Sequence, residues 1–274
     1  MWPEGKQSAA ILTFDFDAEE VWISALGQEA AARPGLLSQG RYGAKVGVPM
    51  VLKLLKARGL TATFFVPGRV CERHPQVVAS IVEAGHELAL HGYTHTDPSR
   101  QSAAQEREEL AKSVELFKGF GVTPRGYRSP AWELSANTLT LLGEIGIEYS
   151  SNFMDDIRPY KHPESEIIEL PVQWLLDDAP QFMFAVPYWD KTIVPPSLVL
   201  ESWSAEFAGI HRMAGSFVLT MHPQFIGRPS RLAMLEKLLD VIQGHDDVWI
   251  ATARDVARQA KRYLDAQTSP SHGS

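Results

Sequence analysis

The chain has 274 residues, 45% hydrophobic and 22% charged, with 33 acidic residues against 26 lysines and arginines. That balance lies outside the polar, highly charged range of disordered chains. A net charge of −7 argues against a nucleic-acid binder, and no run approaches the roughly 18 apolar residues of a membrane-spanning helix.

Short apolar runs rich in Val, Ile, Leu and Phe alternate with longer segments of helical period. Strands are expected at AAILTF (9–14), TATFFV (61–66), ELALH (87–91), GYR (126–128), EYSSN (148–152), IIELPV (167–172), SFVLTM (216–221) and VWIA (248–251). Helices are expected over 46–58, 75–84, 103–119, 136–145, 197–213, 230–243 and 253–264. Ser135 and Ser230 read as N-caps, Gly244 as a helix stop, and Thr252 with Asp255 as a capping pair. Strand–helix alternation with nearly continuous apolar strands implies a parallel sheet covered by helices. The count suits an irregular (β/α) barrel, a deformed TIM-like α/β fold over 1–266, followed by a frayed polar tail at 267–274. The N-terminus has no basic region before a long apolar run, and Cys71 is alone. A cytoplasmic protein without an intramolecular disulfide is therefore expected.

In such barrels chemistry gathers at the C-terminal strand ends. The first strand runs into Asp15-Phe16-Asp17, whose two carboxylates would point to one face of a continuing strand. Like charges side by side are costly unless a cation shares the site or one takes a proton; the plain alternative is an Asp-rich turn. HGYTH (91–95) carries histidines four apart, which on a helical turn would share a face and could hold a divalent metal, or could be coincidental. Arg128-Ser-Pro130 ends the fourth strand and His222-Pro223 the strand at 216–221; alone, His222 could simply satisfy a buried donor or acceptor. His86 reads as structural, while His74, His162, His211, His245 and His272 show no partnering pattern. What joins the first four elements is their common predicted edge.

Together these residues resemble the polysaccharide deacetylase superfamily, carbohydrate esterase family 4 with its NodB homology domain. TFDFD (13–17) is similar to its first motif, HGYTH to its His-x-x-x-His motif, YRSPAW (127–132) to its Arg-x-Pro motif and LTMHP (219–223) to its Leu-x-x-His motif. Within it the chain resembles the branch of peptidoglycan-deacetylase-like and allantoinase- or cyclic-imidase-like proteins, on RYGAKVGVP (41–49), LPVQWLLDD (170–178) and GRPSR (227–231). Phe16 between the two acids departs from the usual adjacent pair and leaves the two Asp roles open to exchange.

The resemblance implies that Asp17, His91 and His95 ligate a divalent cation, most plausibly zinc. It implies Asp15 as general base, Arg128 as its orienting cation and His222 as general acid, with Asp177 or Asp178 supporting His222. The Ala131 N–H would help to hold the oxyanion. The implied activity is hydrolysis of a non-peptide C–N bond. Metal-dependent N-deacetylation of an N-acetylated sugar or peptidoglycan-like amide is favoured, and opening of a cyclic amide, imide or ureide, with or without metal, is the alternative. Trp132, Trp174, Tyr188 and Trp189 could line a sugar platform or simply pack; Arg228 and Arg231 could meet a substrate carboxylate or carbonyl, or form surface ion pairs. Family relatives form homo-oligomers, and the insertion at 20–45 could serve that end.

Overall fold

The computed structural model describes residues 1–163, 165–185 and 191–268. Among these residues nine strands join one sheet: β1 (Ser8–Asp15), β2 (Thr63–Val66), β3 (Glu87–Leu90), β4 (Gly126–Tyr127), β5 (Tyr149–Ser150), β6 (Tyr160–Lys161), β7 (Ile168–Glu169), β8 (Ser216–Met221) and β9 (Val248–Ile250). The order is β6-β7-β5-β4-β3-β2-β1-β8, with β9 also pairing β1. Every pairing is parallel except β6 with β7. All eight expected strands are present; β6 was not expected, being two half-buried residues without an apolar run.

The sheet curls without closing, so the expected barrel is an open half-barrel. β4, β5 and β7 are two residues long, too little ladder to carry the sheet round to β8. An isolated parallel bridge between Asp177 and Thr220 covers part of the β8 edge instead.

Thirteen helices are described: α1 (Glu20–Leu26), α2 (Gln28–Ala31), α3 (Pro34–Tyr42), α4 (Val48–Arg58), α5 (Gly68–Arg73), α6 (Pro75–Glu83), α7 (Ala103–Lys118), α8 (Thr138–Glu144), α9 (Asp178–Phe182), α10 (Pro196–Arg212), α11 (Pro223–Ile226), α12 (Pro229–Gln243) and α13 (Ala253–Thr268). The seven expected helices correspond to α4, α6, α7, α8, α10, α12 and α13, and short 3-10 turns occur elsewhere. Two caps differ from expectation. α8 starts after Asn137, because Ser135 spends its hydroxyl on Glu106 and on the Asn137 N–H. α12 starts at Pro229, whose ring is tolerated where the helix has no N–H partner, so Ser230 lies inside the first turn. Thr252 and Asp255 do exchange the expected bonds, at 2.8 and 3.2 Å.

β1 is buried along its whole length and sorts its side chains by parity. Ala10, Leu12, Phe14 and Phe16 join the cluster beneath the outer helices, whereas Ala9 and Ile11 join Phe65, Tyr149 and Val218. Each buried Leu or Phe is worth roughly 1.5–3 kcal/mol, so the register of this strand is firmly held. The same parity puts Thr13, Asp15 and Asp17 on the face opposite Phe16.

A second device places the end of β8. Between α3 and α4 the chain makes a wide helical turn, Gly43–Gly47, pressed against the residues after His222. A Cβ on Gly47 would sit 2.1 Å from the Pro223 carbonyl oxygen, so only glycine permits this approach. This is the structural use of RYGAKVGVP.

Candidate active site

The C-terminal ends of β1, β3, β4 and β8 bring Asp15, Asp17, His91, Arg128 and His222 together, and the loop after β3 adds His95. All but His95 are buried. Phe16 points into the core, and its N–H continues the ladder to the Phe65 carbonyl at 2.8 Å. The extra residue thus leaves the two acids on one face instead of displacing either.

Asp17 is fully buried, and neither of its carboxylate oxygens has a hydrogen-bond partner among the described residues. Such a group is costly to bury unless something compensates it. His91 Nε2 lies 3.4 Å from one oxygen and His95 Nε2 3.6 Å from the other. Tetrahedral ligands about 2.0–2.1 Å from a zinc ion would stand roughly 3.3 Å apart; one ligand atom from each of Asp17, His91 and His95 lies within 4.8 Å of the others, a set that could close on a divalent cation. The other ring nitrogens face elsewhere: His91 Nδ1 donates to the Arg128 carbonyl at 2.7 Å, and His95 Nδ1 lies 3.2 Å from Ser24 Oγ on α1. Outer partners of this kind set the tautomer that frees Nε2. The histidines are not on a helical turn. Gly92 and His95 take left-handed φ of 68° and 53°, and this bend, not helical period, brings the rings within 5.1 Å.

Burial pushes the His91 imidazole down to about 4 and lowers His95 as well, aided by His91 and His222 nearby. Both rings are therefore neutral, the form that binds metal. His222 behaves oppositely. Burial alone would lower it, but Asp177, Asp178 and Asp17 outweigh burial and hold it well above the ordinary imidazole range. Although His222 Nε2 is also 3.6 Å from Asp17, its charge separates it from the two neutral rings. Burial pushes Asp17 up well above the usual carboxylate range, and the surrounding acids add to this.

The structure chooses between the two candidate partners of His222. Asp178 Oδ1 accepts from His222 Nδ1 at 2.6 Å and from its backbone N–H at 3.0 Å. Asp177 stands farther off, at 3.7 Å, and caps α9 by accepting the Ala179 N–H. Burial raises Asp177 to about 7.

Arg128 is fully buried and donates to Asp15 Oδ1 and Thr13 Oγ1, both at 2.8 Å. Its other nitrogens reach Ser151, through the hydroxyl at 2.9 Å and the carbonyl at 3.3 Å, and its guanidinium lies over the Phe65 ring. After it, Ala131 and Trp132 take left-handed φ of 57° and 58°. Two such non-glycine residues in a row carry strain that the surroundings must hold. The support includes the Ser129 N–H bonded to Asn152 Oδ1 at 2.7 Å, with buried Glu169 accepting the Asn152 N–H behind it.

Trp132 is buried and stacks on the exposed Trp174, with centroids 4.3 Å apart. Tyr188, Trp189, His272 and most of the polar tail lie outside the described residues. Arg228 rests on the Tyr42 ring and Arg231 on the Phe182 ring. His86 accepts the Ala62 N–H at 3.3 Å, while His74 and His162 pair with Glu19 and Glu169. Thr13, Ser24, Ser151 and Asn152 escaped the sequence reading, since a lone hydroxyl or amide has no spacing signature. Position at the same strand ends was the available signal for Ser151 and Asn152.

The polysaccharide deacetylase family profile matches residues 41–150. A peptidoglycan deacetylase from Helicobacter pylori is 33% identical, over 89% of this chain and 92% of its own length. A crystal structure named for a polysaccharide deacetylase from Mycobacterium smegmatis is 37% identical with a TM-score of 0.92, covering 96% of this chain and 93% of its own. An allantoinase structure is 25% identical with a TM-score of 0.78, over 94% of this chain and 91% of its own.

Proposed function

This chain belongs to the polysaccharide deacetylase family and is a hydrolase of non-peptide C–N bonds; on that premise we propose that it removes the acyl group from an N-acetylated sugar of peptidoglycan type. The observation that carries the reading is the division of labour between two buried pairs, Arg128–Asp15 and Asp178–His222, on either side of the unpartnered Asp17 carboxylate.

Asp17, His91 and His95 would hold the divalent cation, and their donor set suits zinc. Such an ion polarises an amide carbonyl and supplies water of lowered pKa at neutral pH. Asp15 takes the proton as water attacks the carbonyl carbon. Arg128 aims that carboxylate by occupying Oδ1, which leaves Oδ2 for the proton. The Ala131 N–H, in a left-handed turn, would meet the developing oxyanion, where a fixed dipole needs no reorganisation. His222, charged because of its acidic neighbours, delivers a proton to the leaving nitrogen, without which an amide anion would have to depart. Asp178 holds the ring and stabilises its charge. Trp174, backed by the buried Trp132, offers an exposed face for the sugar ring.

The likeness to an allantoinase favours one second reading, the opening of a cyclic amide or ureide by the same residues. Zinc as the ion, cytoplasmic residence and homo-oligomeric assembly belong to the proposal; elemental analysis, fractionation and light scattering test them in turn. The decisive experiment pairs Asp17→Ala with Asp15→Asn. Asp17→Ala should purify without metal, whereas Asp15→Asn should keep it and lose about 10²–10⁴ in turnover of acetylated amino-sugar oligomers. Full turnover by Asp15→Asn would remove Asp15 from the reaction, and ring opening without deacetylation would move the assignment to the second reading.

A further inference from the structure

The end of the sheet opposite the catalytic edge carries a second grouping of two imidazoles and a carboxylate. β1, β8 and β9 begin there, with Ser8 beside Val248 and Ala9 beside Ser216. His211 lies in the last turn of α10, His245 just past the end of α12, and Asp247 immediately before β9. One ligand atom from each lies within 4.8 Å of the others. Sequence spacing hid the grouping, since only the packing of α10 on α12 brings the two histidines together.

Its geometry nearly repeats that of His91, His95 and Asp17. The His211 and His245 rings meet with centroids 4.8 Å apart at 61°, against 5.1 Å and 69° for His91 and His95. His211 Nε2 lies 3.5 Å from Asp247 Oδ1, against 3.4 Å between His91 and Asp17. That is too long for an N–H···O bond of about 2.7–3.2 Å, and near the roughly 3.3 Å between two ligands of one tetrahedral zinc. On its far side His211 Nδ1 stands 2.8 Å from the hydroxyl of buried Ser8, an outer contact that turns Nε2 toward a metal. Phe207, also buried, anchors both rings. It stacks on His211 with centroids 5.9 Å apart and meets His245 edge-on at 5.4 Å.

The surrounding charge favours a cation. Both helices bring their C-terminal, partially negative ends to this place. Asp247 has no lysine or arginine ion-pair partner among the described residues. Lys6 directs its ammonium to the Asp246 and Val248 carbonyls instead, at 2.6 and 3.3 Å. His245 is exposed and Asp247 partly so, which lets both close on an incoming ion and release it again.

We propose that His211, His245 and Asp247 form a second, exchangeable site for a divalent cation of zinc type, separate from the catalytic one. Two imidazoles with one carboxylate suit zinc or nickel over magnesium or calcium. The remaining coordination positions are open to water. Bound metal clasps the ends of α10 and α12 together beside the first residue of β1, so the site acts on stability and is independent of the deacetylase reading.

The test titrates zinc chloride into metal-free Asp17→Ala protein by calorimetry, so that the catalytic site does not compete. The titration is repeated on chains that also carry His245→Gln or Ser8→Ala. One zinc per chain should bind to Asp17→Ala. His245→Gln, a change at an exposed ring, should abolish that binding, and Ser8→Ala should weaken it about 10–100-fold by freeing the His211 ring. The melting temperature of Asp17→Ala should rise with zinc concentration, as it does for any ligand of the folded state alone, and the rise should vanish with His245→Gln. On the wild-type background, His245→Gln should lower the zinc count at saturation by one and leave turnover unchanged, which keeps the result independent of the role of Asp17. Absence of saturable zinc binding, or the same stoichiometry with and without His245→Gln, would overturn the site. An affinity untouched by Ser8→Ala would remove His211 Nε2 from the ligand set and the proposal with it.

Discussion

Replacement of Asp178 by Asn isolates the electrostatic part of the His222 pair. The side chain keeps its shape and its Oδ1, so the 3.0 Å bond from the His222 N–H and the 2.6 Å bond from Nδ1 can both survive. What disappears is the charge. A hydrogen bond to a charged group is worth roughly 1.5–3 kcal/mol net, against about 1 for a neutral one. The imidazolium thus loses about 0.5–2 kcal/mol of support, which at roughly 1.4 kcal/mol per pH unit is a shift centred on about one unit. Asp177 and Asp17 still face the ring and keep part of its elevation. The alkaline limb of the kcat profile should therefore move about one unit toward neutral pH. Turnover should fall about tenfold on that limb and change less than about threefold on the plateau. The assay is a pH profile on an N-acetyl sugar and on an activated anilide whose amine leaves without protonation, the anilide being the insensitive control. An alkaline limb that stays in place, or an equal loss at all pH values for both substrates, would refute the acid role.

Two further outcomes are expected. Gly47→Ala puts a methyl group 2.1 Å from the Pro223 oxygen. It should cost about 1–3 kcal/mol of stability, as overpacking does, and impair turnover more than metal content; thermal unfolding and elemental analysis read the two effects, and unchanged turnover would mean that this turn does not position His222. In metal-free protein, His91 is held down at about 4 by burial. The unfolded chain binds its proton near 6.5 and the folded chain only near 4, so this contribution to stability is lost as pH falls between those values. Asp177, raised to about 7 by burial, works in the opposite sense, its stabilising share fading as pH rises toward 7. Comparison with His91→Asn removes that background: denaturant titrations from pH 7 to 4 should show wild type losing more stability than the variant. Parallel curves would exclude His91 as a buried neutral ring.

Much of the molecule was already decided by local pattern. Six of the eight expected strands announced themselves as apolar runs because a sheet covered by helices buries both faces of its strands. Asp15, Asp17, His91, Arg128 and His222 were legible because parallel strands deliver their C-terminal residues to one edge. The distribution of work among these residues depended on contacts that span the chain. Asp178 rather than Asp177 meets His222 because Asp177 is drawn into a bridge with Thr220 and the cap of α9. The histidine pair converges through a left-handed bend at Gly92, not through the helical period that its spacing suggested. The barrel stays open because strands two residues long cannot extend the ladder, a length that apolar runs such as IIELPV overstate. Ser24 became part of the site only through packing, since its hydroxyl gains meaning from His95, which lies opposite. Sequence pattern settles which groups are apolar, which repeat and which edge they reach; only tertiary structure decides which buried charge faces which, because that pairing energy depends on distances of a few ångströms between residues far apart in the chain.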